Sequence, residues 1–292
     1  MDQFLQQMVN GISLGSIYAL IALGYTMVYG IIKLINFAHG DVYMIGAYIG
    51  FAATTYANLG FFPALIISMI SCAVLGIVIE KVAYKPLRHS SRIAVLITAI
   101  GVSLLLEYVM MFFVGAEVRS YPNVLSDAAY TFGPVRISMQ QIYIIATAVA
   151  LMVLLQFIVH KTKTGKAMRA VSVDSDAAQL MGIRVDKTIS FTFAIGSAFA
   201  GAAGVLVGIY YNSIDPLMGI MPGLKAFVAA VFGGIGSIPG AMIGGLSIGI
   251  METLVSGYGN SMYRDAAVFA FLIIILIFKP TGLLGKNIRE KV

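Results

Sequence analysis

Residues 160–188 read HKTKTGKAMRAVSVDSDAAQLMGIRVDKT, a polar, basic island in a chain that is otherwise apolar from end to end. Apolar runs of about 20 residues flank it on both sides, the length that crosses a bilayer core. A long basic connection between two spans belongs on the cytoplasmic face. Its pattern predicts two short helices. Thr164 to Val173 suits the first, with Lys166, Met168 and Arg169 on it. Asp174, Ser175 and Asp176 are N-cap candidates for the second, and Gln179 follows Asp176 by three residues, as in a capping box. Ala177, Ala178, Leu180, Met181 and Ile183 make a small apolar surface, and Gly182 suits a helix stop. Such a helix either lies on the membrane, held by lipid charge, or docks into a partner protein. Docking is the expectation carried forward, because a permease driven by a separate motor needs such a surface and a self-contained channel does not.

Of the 292 residues, 59% are hydrophobic and 11% charged, with a mean hydropathy of +0.92. Soluble domains carry roughly 25% charged residues, so this chain cannot cover a water-facing surface. It reads as an all-α integral membrane protein and one transmembrane domain over 1–292, with no polar segment long enough to fold separately. The net charge of +6 then has a topological meaning, and nucleic acid is not implied. Cys72, the one cysteine, lies inside an apolar run and suits a small core residue. Residues 1–3 carry no positive charge, and the run after them exceeds a signal-peptide core, so it reads as the first span.

Apolar runs fall at about 8–32, 37–57, 62–80, 93–115, 141–159, 189–211, 224–257 and 265–279. The seventh is too long for one span, and GGIGSIPG at 233–240 interrupts it. Two short helices, about 224–235 and 241–256, are expected there, giving 8–9 membrane segments. Segments 81–92, 160–188 and 279–292, with Lys33, hold fifteen basic residues, against Arg119, Arg136, Lys225 and Arg264 for the other side. This asymmetry places the N-terminus outside and the C-terminus inside, provided that 224–257 enters and returns. All eight prolines sit at or beyond span ends or, for Pro239, in the break.

Gly236, Gly240 and Gly244 recur every four residues, as do Gly245–Gly249 and Gly204–Gly208. Small residues at this spacing let helices approach closely in lipid. The break itself, Gly233, Gly234, Gly236, Ser237, Pro239 and Gly240, is either pathway lining or a short turn near the inner surface, since open backbone is tolerated at depth only where protein or water covers it. Asn36, His39, Gly40 and Asp41 interrupt the first half similarly, as a plain turn or as a broken helix dipping into the core. One interruption per half suggests two related halves. Glu107 and Glu252 lie in apolar runs toward their outer ends, where they either sit at a wet interface or face the bundle interior and pair with a partner. His89 and His160 suit interfacial positions too. No catalytic constellation, metal-ligand cluster or phosphate loop appears, and too few ionisable groups stand in series for a proton relay. Energy for active transport would enter from another subunit.

Asp176-Ala177-Ala178-Gln179-Leu180-Met181-Gly182 resembles the EAA-x-x-x-G loop of ABC importer permeases, with Asp in place of Glu. Tyr18 to Gly30, Ile35 to Asp41, Arg169-Ala170, Met181-Gly182-Ile183, Lys225 to Gly249 and Pro280 to Gly285 resemble LivH-type branched-chain amino acid permeases. The outer loop at 116–140 matches least. The resemblance implies a bacterial inner-membrane importer of leucine, isoleucine and valine. Its expected partners are a second permease of the LivM type, two cytoplasmic ATPases of the LivG and LivF type and a periplasmic substrate-binding protein. ATP and Mg would serve those ATPases, with no cofactor in this chain. Arg169, Ala170, Asp176, Ala177, Ala178, Gly182 and Ile183 would couple to the ATPases, and the interruptions at 36–41 and 233–240 would line the path. Close relatives carry urea or short amides, and a stand-alone channel is the rival from another class.

Overall fold

The computed structural model describes residues 2–88, 90–126 and 128–285; His89, Lys286, Arg289 and Lys291 lie outside the described residues. Its helices are α1 (Asp2–Ile32), α2 (His39–Thr55), α3 (Phe61–Ile79), α4 (Arg92–Val114), α5 (Met139–Lys161), α6 (Lys163–Val173), α7 (Ser175–Leu180), α8 (Val185–Tyr211), α9 (Ile220–Gly233), α10 (Ile238–Tyr258) and α11 (Arg264–Phe278). Seven segments, α1, α3, α4, α5, α8, α10 and α11 with their flanking turns, are long and apolar enough to cross a membrane. The shorter α2 and α9 lie within the bundle beside them.

Helices α1 and α8 run antiparallel at the centre, each buried along most of its length. They cross where glycine meets glycine: a Cβ on Gly24 would stand 3.0 Å from the Gly196 carbonyl, and one on Gly196 3.3 Å from that of Gly24. Helices α2 and α3 pack on α8, while α9 and α10 pack on α1. The halves α1–α4 and α8–α11 therefore repeat one order in opposite directions: a long central helix, a short one, a return and an outlying helix. Their short helices meet at their N-termini. A Cβ on Gly40 would stand 2.5 Å from the Gly219 carbonyl oxygen, and one on Gly219 2.5 Å from that of Gly40. Two related halves, expected from paired interruptions, are thus built as an inverted repeat.

The first interruption dips into the bundle. Lys33 ends α1 with φ of 56°. The chain then climbs back until His39 lies against Gly24 and the Tyr25 ring. Gly24 is eight residues from the end of α1, about 12 Å along the axis at ~1.5 Å per residue. Helix α2 thus starts at mid-depth and is shorter than the apolar run that contains it. Tyr84 holds the climb by donating to the Asn36 side-chain carbonyl at 3.0 Å.

The second interruption is a hairpin turn between α9 and a full-length α10, longer than the short helix expected. Leu283 and Leu284 N–H groups donate to the Phe232 and Gly233 carbonyls at 2.8 and 2.9 Å. The chain after α11 thereby satisfies the open end of α9, which is why the break is tolerated. Gly236 packs near Gly30, at the end of α1 that also carries α6. At the opposite end, β1 (Arg119–Ser120) pairs with β4 (Ser213–Ile214), and β2 (Ala129–Phe132) with β3 (Val135–Ser138) around Gly133.

Glycine spacing sets the α1–α10 seam. A Cβ on Gly249 would collide with the Gly15 nitrogen. Gly249→Val is expected to lower thermal stability in detergent by about 1–3 kcal/mol or more through overpacking. Gly101→Ala, with nothing within 4 Å of the new carbon, is expected to leave the melting temperature unchanged.

Candidate functional site

Two regions carry the chemistry: a cavity at mid-depth and a knob at the basic end. The cavity, about 270 Å³, lies where the N-termini of α2 and α9 meet, with α4 as its third wall. Gly40, Asp41, Tyr25 and Gly223 line its inner side; Ser103 and Glu107 face them from α4. Ser103 donates to the Asp41 carboxylate. Asn36 and His39 stand behind this wall, buried: Asn36 accepts from Tyr84, and His39, at the start of α2, lies against the Tyr25 ring of α1. The segment 233–240 does not border the cavity. Gly233, Gly234 and Gly240 are buried in the hairpin, the Ser237 hydroxyl caps α10 through Gly240 N–H at 3.2 Å, and Gly236 and Pro239 are exposed at the basic end.

Glu107 and Glu252 are not wet interfacial groups: they are 6% and 2% exposed. Glu107 turns inward because the opposite face of α4 is the exposed one. Glu252 accepts from Lys225 Nζ at 2.9 Å and from the Tyr18 hydroxyl at 2.8 Å. Lys225 also reaches Asp265 at 2.6 Å. A charge at this depth persists only when paired, so this pair ties α9, α10, α11 and α1 together. The one signal that could have found the pair is that Lys225 and Glu252 fall on the two arms of the hairpin expected over 224–257.

The knob is α6 and α7. Thr162 caps α6 through Gly165 N–H at 3.1 Å. Gly165 lets α6 fold tightly onto the end of α5, for a Cβ there would collide with the Ile158 carbonyl. Arg169 donates to the Val159 carbonyl at 2.9 Å, so it clamps α6 to α5 while remaining exposed. The N-cap of α7 is Asp174, which accepts from Asp176 and Ala177 N–H at 2.9 Å. Asp176 therefore sits inside the helix, and the Asp176–Gln179 capping box does not form. Asp174 wins because its extended backbone aims its carboxylate at two free donors. Gly182 ends α7 at φ of 83°. Ala178 is buried, Ala170 and Ile183 half-buried, and Asp176, Ala177 and Gly182 exposed. Leu180 and Met181 project to solvent at 89% and 83% exposure, joined by Val173, which the sequence pattern did not single out.

Ionic links tie this end to the bundle. Glu80, fully buried in the wide turn after α3, accepts from Arg88 and from Ser190. Arg88 and Lys85 both bind Asp186 in the first turn of α8, at 2.5 and 2.7 Å. These links brace the turn after α3 against the first turns of α8.

Residues 7–278 match the family model described as branched-chain amino acid transport system / permease component. The chain is 46% identical to the high-affinity branched-chain amino acid transport permease LivH of Salmonella typhimurium, over 99% of this chain and 98% of that one. It is 24% identical to the LivM permease of Escherichia coli, over 93% and 68%. A solved structure with the same fold is PsaBC from Streptococcus pneumoniae in complex with Fab, with a TM-score of 0.50, 14% identity and coverage of 95% and 92%. The chain belongs to the family of branched-chain amino acid transport permeases.

Proposed function

We propose that this chain is one of two membrane subunits of an ATP-driven importer of leucine, isoleucine and valine in a bacterial inner membrane. The observation that carries this reading is the braced knob with exposed Leu180 and Met181, in a chain with no phosphate loop of its own. Two cytoplasmic ATPases grip the knob and use the ATP and Mg. A LivM-like permease completes the path, and a periplasmic binding protein delivers substrate. The N-terminus lies outside and the C-terminus inside, which puts α6, α7 and the 233–240 turn at the cytoplasmic end. That turn forms the inner mouth of the path.

The mid-depth cavity is the substrate's station. Its aliphatic wall, Ile100, Leu104, Ile220 and Leu224, suits a branched side chain. Asp41 and Glu107 suit an ammonium group. Urea offers nothing to the apolar wall. In membranes containing the assembled importer, excess isoleucine or valine is expected to suppress labelled leucine uptake and urea is not; suppression by urea alone contradicts the assignment. Asp41→Asn is expected to cut uptake roughly 10-fold or more, the worth of a hydrogen bond to a charged group, while the ATPases still co-purify. Unchanged uptake in that variant removes Asp41 from the path.

A further inference from the structure

A second cavity, about 440 Å³, lies further along α2, at the end of the bundle opposite the knob. Ile45, Ile49 and Ala52 line it from α2, spaced so that they share one helix face. Met110 and Val114 face them from the end of α4, and Arg119, just past that end, closes the space. Helices α2 and α4 part at this level. The matching helices of the other half, α9 and α11, meet directly, Phe232 against Phe271 with ring centroids 5.1 Å apart. The mouth of the cavity opens on apolar surface. Tyr56 and Phe113 at its rim are exposed, as are Phe112 and Val118 beside them. Aromatic rings gather where acyl chains meet headgroups, so the mouth faces the bilayer at headgroup depth.

Two polar groups border this hydrocarbon space. Tyr48 is 5% exposed, yet its hydroxyl has no hydrogen-bond partner among the described residues. Buried hydroxyls are seldom left so. Arg119 donates to the Val114 carbonyl that ends α4. No carboxylate pairs with it among the described residues, and a guanidinium has five N–H donors. This hydroxyl and this guanidinium, at the edge of an apolar cavity, match a molecule with an anionic head and a long apolar tail. Leucine matches less well. No acid lines this cavity to take its ammonium group, and the space exceeds the 270 Å³ of the mid-depth cavity.

We propose that this cavity binds a membrane phospholipid, with its phosphate on Arg119, a phosphate or ester oxygen on the Tyr48 hydroxyl, and one acyl chain between α2 and α4. The fork of a guanidinium matches phosphate oxygens in pairs. The chain fills the gap that Phe232 and Phe271 fill in the other half. Helix α4 touches the rest of the protein mainly through α2 and the turn after α3, and it is the third wall of the mid-depth cavity. The bound lipid therefore props that wall at its outer end.

A phosphatidylglycerol with a diazirine at the end of one acyl chain tests this in the assembled importer, in vesicles of phosphatidylethanolamine and phosphatidylglycerol. After photolysis, peptide mapping is expected to find label on 45–56 and 110–114, several-fold above the exposed face of α5. Arg119→Ala is expected to cut that label several-fold. So is Ala52→Phe, which leaves Arg119 in place and fills the cavity. A diacylglycerol with the same diazirine chain but no phosphate is expected to label these helices several-fold less, and equally in the parent and in Arg119→Ala. Excess leucine is expected to change nothing. Label that survives both substitutions overturns the site, because lipid then only surrounds the bundle. Equal labelling by the diacylglycerol overturns the role of Arg119, and displacement by leucine overturns the lipid in favour of the substrate.

Discussion

Lys225→Met is expected to destabilise the protein by about 3–5 kcal/mol, the cost of stranding one charge of a buried pair. Glu252 would remain at mid-bundle, 2% exposed, keeping only the Tyr18 hydroxyl and a longer approach from Arg264 at 3.7 Å. Asp265 would lose its 2.6 Å partner as well. The pair spans α9 and α10 and is flanked by α1 and α11, so its loss unpins the hairpin from the centre. The double variant Lys225→Met with Glu252→Leu removes both charges and is expected to recover most of the loss, since well-packed apolar replacements of buried pairs are often neutral. Melting in mild detergent, read by the accessibility of buried Cys72, measures both. A single variant that melts like the parent would mean that water reaches Glu252.

Charged tips on the knob are expected to abolish uptake without disturbing the fold. Leu180 and Met181 contribute nothing to the core, so Leu180→Glu with Met181→Glu should insert and melt normally. Central apolar contacts of an interface are each worth about 2 kcal/mol or more, roughly a 30-fold loss of ATPase affinity per residue. Gly182→Arg acts at the same place by two routes: its left-handed backbone costs a side chain about 1–2 kcal/mol, and the new chain projects into the docking surface. Arg169→Glu differs in kind, because it breaks the clamp to Val159 and loosens α6 on α5. Uptake lost with ATPases still bound is its expected signature; the Leu180/Met181 variant should lose both. Normal uptake in all three would end the coupling role of the knob.

The long spans, the turn within 224–257 and the two-helix knob at 163–180 were legible because each rests on local composition. Gly182 as a stop and Gly249 as a packing position follow from the one property glycine has, the missing Cβ. What the sequence hid were pairings across distance. Lys225 meets Glu252, and Asp41 meets Ser103 and Glu107, only once the hairpin and α4 are in place. Glu107 and Glu252 looked like edge positions because linear distance to a run's end says nothing about which face turns inward. Helix α2 looked like a full span because its apolar run includes the residues that climb back from Lys33. Asp174 outcompeted Asp176 as a cap because the backbone angle before α7, invisible in the sequence, decides which side chain reaches the free N–H groups. Of the positions expected to line the path, Gly40 and Asp41 do border the cavity, whereas Gly233 to Gly240 build the turn far below it, at the end held by Gly30 and Leu284.

The decisive measurement is leucine uptake into liposomes holding this chain with its partner permease and the binding protein, with and without the two ATPases. Accumulation against a gradient only when the ATPases and ATP are both present is the predicted result. Downhill leucine flux through this chain alone, indifferent to ATP, would contradict a motor-driven permease and make it a channel.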